Sequence, residues 1–226
     1  MFSNYLKYIL LLAIPLSHCT QKSNNAAATD SHAVISRDLP TPSTEKESTG
    51  LETATLAGGC FWKMDACYQQ LKGIQKLAVG YGGGTTLDPT YAQVGTQKTG
   101  HAESIQLVFD PSVISYREIL EIFWSLHDPT QFDREGNDVG NDYRSAVFYH
   151  TAAQLKMAEH VRDSLDQSGK FKSAIVTDIT PFTNFYKAED YHQNYYNEHP
   201  WEPYSLSVVR PKVKHFEEVF GGELRK

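Results

Sequence analysis

The sequence predicts an α+β fold, a two-layer α/β sandwich in which helices cover one face of a mixed sheet. Three observations carry this. From residue 51 on, short stretches rich in β-branched residues alternate with stretches of helical apolar spacing. The first six elements run β-α-β-β-α-β, the split βαβ or ferredoxin-like order, and an α-β pair follows. Glycines, prolines and Ser/Thr caps fall where the pattern changes.

Thr53–Ala57 is the first expected strand, and Phe61–Leu71 the first helix, stopped by Gly73. Ile74–Gly80 reads as a strand, and Gly82-Gly83-Gly84 opens a polar loop that runs to Gly100. His101–Phe109 is a strand ended by Asp110-Pro111. Ser115 and Glu118 form a capping box, in which each side chain satisfies a free amide of the other. The helix behind it should bury Ile119, Leu120, Phe123 and Trp124. A loop of Asp, Asn and Gly spans 127–142, and Arg144–Tyr149 is strand-like. Thr151 and Gln154 form a second capping box for a helix ending near Gln167, with Gly169 beyond it. Ala174–Thr180 is a further strand, Ala188–Asn197 a short helix, and the tail reads as Pro-rich and irregular.

Three segments are expected: an export signal of lipoprotein type at 1–19, a flexible linker at 20–50, and one folded domain at 51–226. Tyr5–Leu16 is apolar except for Lys7, and is shorter than the ~20 residues a membrane span needs. It fits a signal-peptide core. Leu16-Ser17-His18-Cys19 resembles the lipobox of bacterial lipoproteins, which would make Cys19 the lipidated residue; His18 departs from the small residue usual there. The expected location is the bacterial periplasm or a membrane-anchored lipoprotein, with the lipid as the sole membrane contact. The linker has too few large apolar side chains to offset its ordering entropy.

A net charge of -6 without a long basic run argues against nucleic-acid binding. Three cysteines with no CxxC pair suit neither a disulfide scaffold nor a zinc site, and no metal or cofactor is expected. A monomer is expected.

The stretch Gly58-Gly59-Cys60-Phe61-Trp62 is the chemical centre of the chain. It places a thiol between a strand and a helix N-terminus, where free amides and the helix dipole favour a thiolate. Glu103 shares a strand face with Ile105, Leu107 and Phe109. It is either a buried carboxyl with a raised pKa, fit for general-acid work, or a rim residue reaching solvent. Tyr91 and Tyr143 fall in loops, and Gly136–Tyr143 reads as turn chemistry rather than a calcium loop. Cys67 follows Cys60 by seven residues, ~10.5 Å along a helix, against roughly 4.4–6.8 Å between the Cα atoms of a disulfide. It reads as a core residue unless the helix start unwinds.

The region from Thr53 to Trp201 resembles the peptide methionine sulfoxide reductase A family. The resemblance rests on Gly58–Trp62, Gly80–Gly84, Pro89–Tyr91, Thr99–Glu103, Tyr116, Phe123-Trp124, His127–Pro129, Gly136–Asp138, Tyr143–Ala146, Ala188–Asp190 and His192-Gln193, in order and at the family's spacing. It implies a thiol-dependent reductase of methionine-(S)-sulfoxide, in proteins or free, that repairs oxidative damage. It implies Cys60 as nucleophile, Glu103 as the acid at the sulfoxide oxygen, and Tyr91 and Tyr143 as donors to that oxygen. Asp138 would support the polar side, and Phe61 and Trp62 would form the methyl pocket. Lys63 stands where the family usually has Gly or Cys, and a cation there would favour the thiolate. Many relatives carry resolving cysteines in the tail; here none follows Cys67. A thioredoxin-like or other external thiol reductant is therefore expected. Two other functions stay open at this point: a cysteine-dependent hydrolase or acyltransferase, and a non-catalytic binding domain on the same scaffold.

Overall fold

The computed structural model describes residues 50–225, so the expected export signal, Cys19 and most of the linker lie outside the described residues. Eight strands form two sheets: β1 (Glu52–Gly58), β2 (Ile74–Gly82), β3 (Ala102–Phe109), β4 (Arg134–Glu135), β5 (Asp138–Val139), β6 (Ser145–Tyr149), β7 (Asp178–Pro181) and β8 (Phe185–Lys187). The helices are α1 (Phe61–Tyr68), α2 (Tyr91–Val94), α3 (Tyr116–Leu126), α4 (Ala152–Gln167), α5 (Tyr195–Glu198) and α6 (Arg210–Phe220).

The main sheet is mixed, in the order β7-β6-β1-β3-β2-β8. Only β6 and β7 run parallel. Strand β1 is central, which explains why Ala54–Gly58 is buried on both faces rather than alternating. Ala54 and Leu56 join the core beneath the helices, with Met64, Phe123 and Trp124. Ala57 packs on the opposite face with Ala102, Ala146 and Phe148, and Phe182 lies against them. β4 and β5 form a separate hairpin within the 127–142 loop.

The first capping box is present: Ser115 Oγ accepts from Glu118 N at 3.2 Å, and Ser115 N donates to Glu118 Oε2 at 2.8 Å. The amphipathic face of α3 then buries Ile119, Leu120, Phe123 and Trp124. The second box is half made. Thr151 accepts from Gln154 N, but the Gln154 side chain turns away to accept from His150 N and donate to Thr53 O.

Three expectations are corrected. The strand expected at 174–180 begins only at Asp178, because Ile175 N donates to Asp166 Oδ1 and Val176 N to Pro129 O. The helix expected over 188–197 is broken into a 3-10 turn at Asp190–His192 and the short α5, with Asn194 at φ 56 between them. The tail is not irregular: a π-helical turn, Ser205–Val209, runs into α6. Val209, Val213 and Phe216 fall at i, i+4 and i+7 and are buried, and Pro211 sits in the first turn of α6, where its missing N–H is tolerated.

Replacing Ser115 with Ala removes the cap of the helix that anchors the core. Stability to chemical denaturation should fall by about 1 kcal/mol, with an unchanged slope.

Candidate active site

Cys60 is the N-cap of α1, and the chain arrives there through Gly59 at φ +77. Only glycine suits that turn, since a Cβ there would lie 2.6 Å from Glu135 Cβ. The turn hands β1 directly to α1, so the thiol is fixed by the sheet.

Glu103 is near the start of β3, opposite Tyr81 of β2, on the face it shares with buried Ile105, Leu107 and Phe109. It is a buried carboxyl, 3% exposed, not a rim residue. Its Oε2 accepts from Phe61 N, the first amide of α1, at 3.0 Å. Burial pushes its pKa up to about 8, and Asp142 and Asp138 add to this, while the Phe61 hydrogen bond works the other way. Glu103 is thus held protonated at neutral pH.

The thiol departs from expectation. Cys60 is buried, and burial followed by the charge of Glu103 pushes it up to about 12. The helix N-terminus does not produce a resting thiolate, because desolvation outweighs it. Lys63 does not reverse this. It is itself buried, and its Nζ donates to Gly58 O at 3.0 Å and to Glu135 Oε1 at 3.3 Å. Its charge is spent on that pair.

Loops bring the remaining groups. Thr90 and Gln93 cap α2, which begins at Tyr91, and the Tyr91 amide donates to Glu189 Oε1 at 2.9 Å. The other oxygen of Glu189 accepts from Tyr81 Oη at 2.7 Å, so one carboxylate ties the Tyr91 loop to β2. Tyr143 closes a 3-10 turn after Gly140, where a Cβ would lie 2.2 Å from both Asp142 Oδ1 and Gln97 Nε2. Burial raises the Tyr91 hydroxyl to about 12 and raises Tyr143 as well, so both are neutral donors. Asp138, on β5, accepts from Tyr204 Oη at 2.5 Å.

Cys60, Phe61, Trp62, Glu103, Tyr91, Tyr143 and Asp138 all line one cavity of about 410 Å³. Tyr195, Glu202, Pro203 and Tyr204 complete it. Sequence reasoning missed these four: Tyr195 fell in the expected 188–197 helix with no role assigned, and the other three in a tail read as irregular. The signal available was aromatic density: Tyr191, Tyr195, Tyr196, Trp201 and Tyr204 crowd one short stretch. Trp62 stacks on Tyr195 at 3.8 Å and 8°, and meets Tyr204 edge-on at 5.8 Å. Trp62 Nε1 donates to His192 Nδ1 at 3.2 Å, which places the imidazole proton on Nε2. Cys67 is buried in the core on the intact α1. Among the described residues, no group of three or more His, Cys, Asp or Glu side chains could hold a metal ion.

A model of the peptide methionine sulfoxide reductase family matches residues 52–223. This chain belongs to that family. Peptide methionine sulfoxide reductase MsrA of Saccharolobus solfataricus is 48% identical over 176 residues, 77% of this chain and 98% of the relative. The enzyme of the same name from Deinococcus radiodurans is 46% identical over 174 residues, 77% of this chain and 84% of the relative. Among solved structures, Mxr1 from Saccharomyces cerevisiae in reduced form matches with a TM-score of 0.64 at 34% identity, covering 69% of this chain and 89% of that one. Methionine sulfoxide reductase A of Corynebacterium diphtheriae matches with a TM-score of 0.60 at 32% identity, covering 68% and 77%.

The buried thiol has a direct chemical consequence. Alkylation of Cys60 by iodoacetamide, read by peptide mass spectrometry, should rise about tenfold per pH unit from 7 to 9. A plateau below pH 8 would show a thiolate already formed. Glu103→Gln, which removes the opposing charge, should speed the alkylation at pH 9.

Proposed function

We propose that Cys60 is the nucleophile and Glu103 the general acid of a thiol-dependent methionine-(S)-sulfoxide reductase. The observation that carries this reading is the convergence of the Cys60 thiol, the buried Glu103 carboxyl and two tyrosines on one cavity. Reduction of methionine sulfoxide and repair of oxidised proteins is the reaction of the family.

The substrate methyl would rest against Phe61 and Trp62, and the sulfoxide oxygen would face Glu103, Tyr91 and Tyr143. Glu103 gives its proton to the oxygen as Cys60 attacks the sulfur, and the thiol proton replaces the one Glu103 lost. The resulting S–S adduct carries the hydroxyl on the substrate sulfur. Its S–S and S–O bonds then break as the hydroxyl passes to the Cys60 sulfur, which leaves a sulfenic acid and releases methionine. Substrate sulfur is reduced by two electrons and Cys60 oxidised by two. Neither reacting group has to be charged at rest, which fits a site where burial keeps both neutral. Fixing the methyl and the oxygen leaves one epimer with its sulfur open to Cys60.

Cys67 is poorly placed to resolve the sulfenic acid, since it lies on the intact α1 seven residues, nearly two turns, beyond Cys60. With no cysteine in the tail, the reductant is an external thiol, thioredoxin-like or of low molecular weight. The apolar run Tyr5–Leu16 and Cys19 support an exported or lipid-anchored enzyme working in the envelope. The central strand order β6-β1-β3-β2 supports reading the core as ferredoxin-like. A Cys-His hydrolase is disfavoured by geometry: among the described residues, no histidine lines either of the cavities that Cys60 borders.

Assays on separated sulfoxide epimers test the reading. Cys60→Ser should abolish reduction of the S epimer with the fold intact, and Glu103→Gln should slow the first turnover by roughly 10²–10⁴. Undiminished turnover in Cys60→Ser would end the assignment.

A further inference from the structure

Cys60 lines two cavities. The first, of about 410 Å³, holds Glu103, Tyr91 and Tyr143. The second, of about 240 Å³, contains none of these three and opens between the β4–β5 hairpin and the tail helix, past Ser207 and Lys212. Cys60, Asp138 and Tyr204 are common to both, and the Tyr204–Asp138 hydrogen bond forms part of the partition. Cys60 therefore borders both spaces.

This division suits the chemistry of regeneration, and rests on the sulfenic acid reading above. Oxygen delivered from the substrate stays on the side of Glu103 and the two tyrosines. A thiol that displaces it must attack the Cys60 sulfur in line, from the side opposite the S–O bond. The second cavity is bordered by none of Glu103, Tyr91 and Tyr143, with Asp138 and Tyr204 between the two spaces. Cys60 is 7% exposed, so a broad protein surface would not reach it, whereas the cavity suits a small molecule.

We propose that the second cavity is the port through which a low-molecular-weight thiol regenerates Cys60. The thiol sulfur bonds to the Cys60 sulfur as the S–O bond breaks, and the hydroxyl leaves with the thiol proton as water. Cys60 is then a mixed disulfide. A second thiol attacks the outer sulfur, forms the small-molecule disulfide, and Cys60 takes back a proton. Two thiols are oxidised for each sulfoxide reduced.

Ser207 is exposed and lies on the second cavity alone, so Ser207→Trp blocks that mouth without touching the core. Prereduced enzyme should release one methionine per chain at the wild-type rate. Regeneration by glutathione or 2-mercaptoethanol should then slow at least tenfold, while Ser207→Ala recycles like wild type. Regeneration in Ser207→Trp within twofold of wild type would overturn the port, as would a burst slowed equally. Faster recycling by a thioredoxin system, indifferent to Ser207→Trp, would overturn the small-thiol assignment. Absence of any burst in the wild-type protein would instead reject the sulfenic acid reading itself.

Discussion

The site depends on one hydrogen bond, from the Phe61 amide to the buried carboxyl of Glu103. It joins the first turn of α1 to the start of β3, and so sets the acid beside the thiol. The amide and the helix dipole favour a carboxylate, while burial favours the neutral acid. Burial wins, with Glu103 at about 8. The sign matters for chemistry. An ionised Glu103 would repel a developing thiolate and have no proton to give. A neutral one allows Cys60 and the sulfoxide oxygen to acquire charge only as bonds change.

The groups around that bond hold its geometry. Lys63 and Glu135 form a buried ion pair that also holds the ends of two segments, through Gly58 O and the Asp128 amide. Breaking such a pair strands a charge in the interior, which typically costs several kcal/mol. Behind it, His127 bonds Phe123 O and Ser145 Oγ, Ser145 bonds Thr177, and Trp124 donates to Thr177. This fully buried chain fixes the base of the loop that carries Asp138 and Tyr143. The aromatic wall joins Trp62 of α1 to Tyr195 and Tyr204, which come from the C-terminal part of the chain.

Much of this was legible in the residues. Strand alternation put Glu103 on the core face, the Ser115 cap located α3, and the Gly-Gly-Cys junction marked the nucleophile. What escaped was set by long-range packing. The cysteine pKa followed from burial, which no local pattern reveals, and it opposed the helix-terminus argument. Lys63 was paired by Glu135, 72 residues away. The tail was misread because Pro203 and Pro211 look like breakers, yet Pro211 occupies a first helical turn. Gln154 shows the same limit in small: its spacing suits a capping box, but tertiary partners at His150 and Thr53 claimed its side chain.

The protonation of Glu103 in the free enzyme is the central claim, and infrared difference spectroscopy measures it directly. The spectrum of the wild-type protein at pH 7 should contain a protonated carboxyl band that is absent from Glu103→Gln and that titrates away near pH 8. If the only band assigned to Glu103 at pH 7 were that of a carboxylate, the account of a neutral Glu103 that donates its proton would be contradicted.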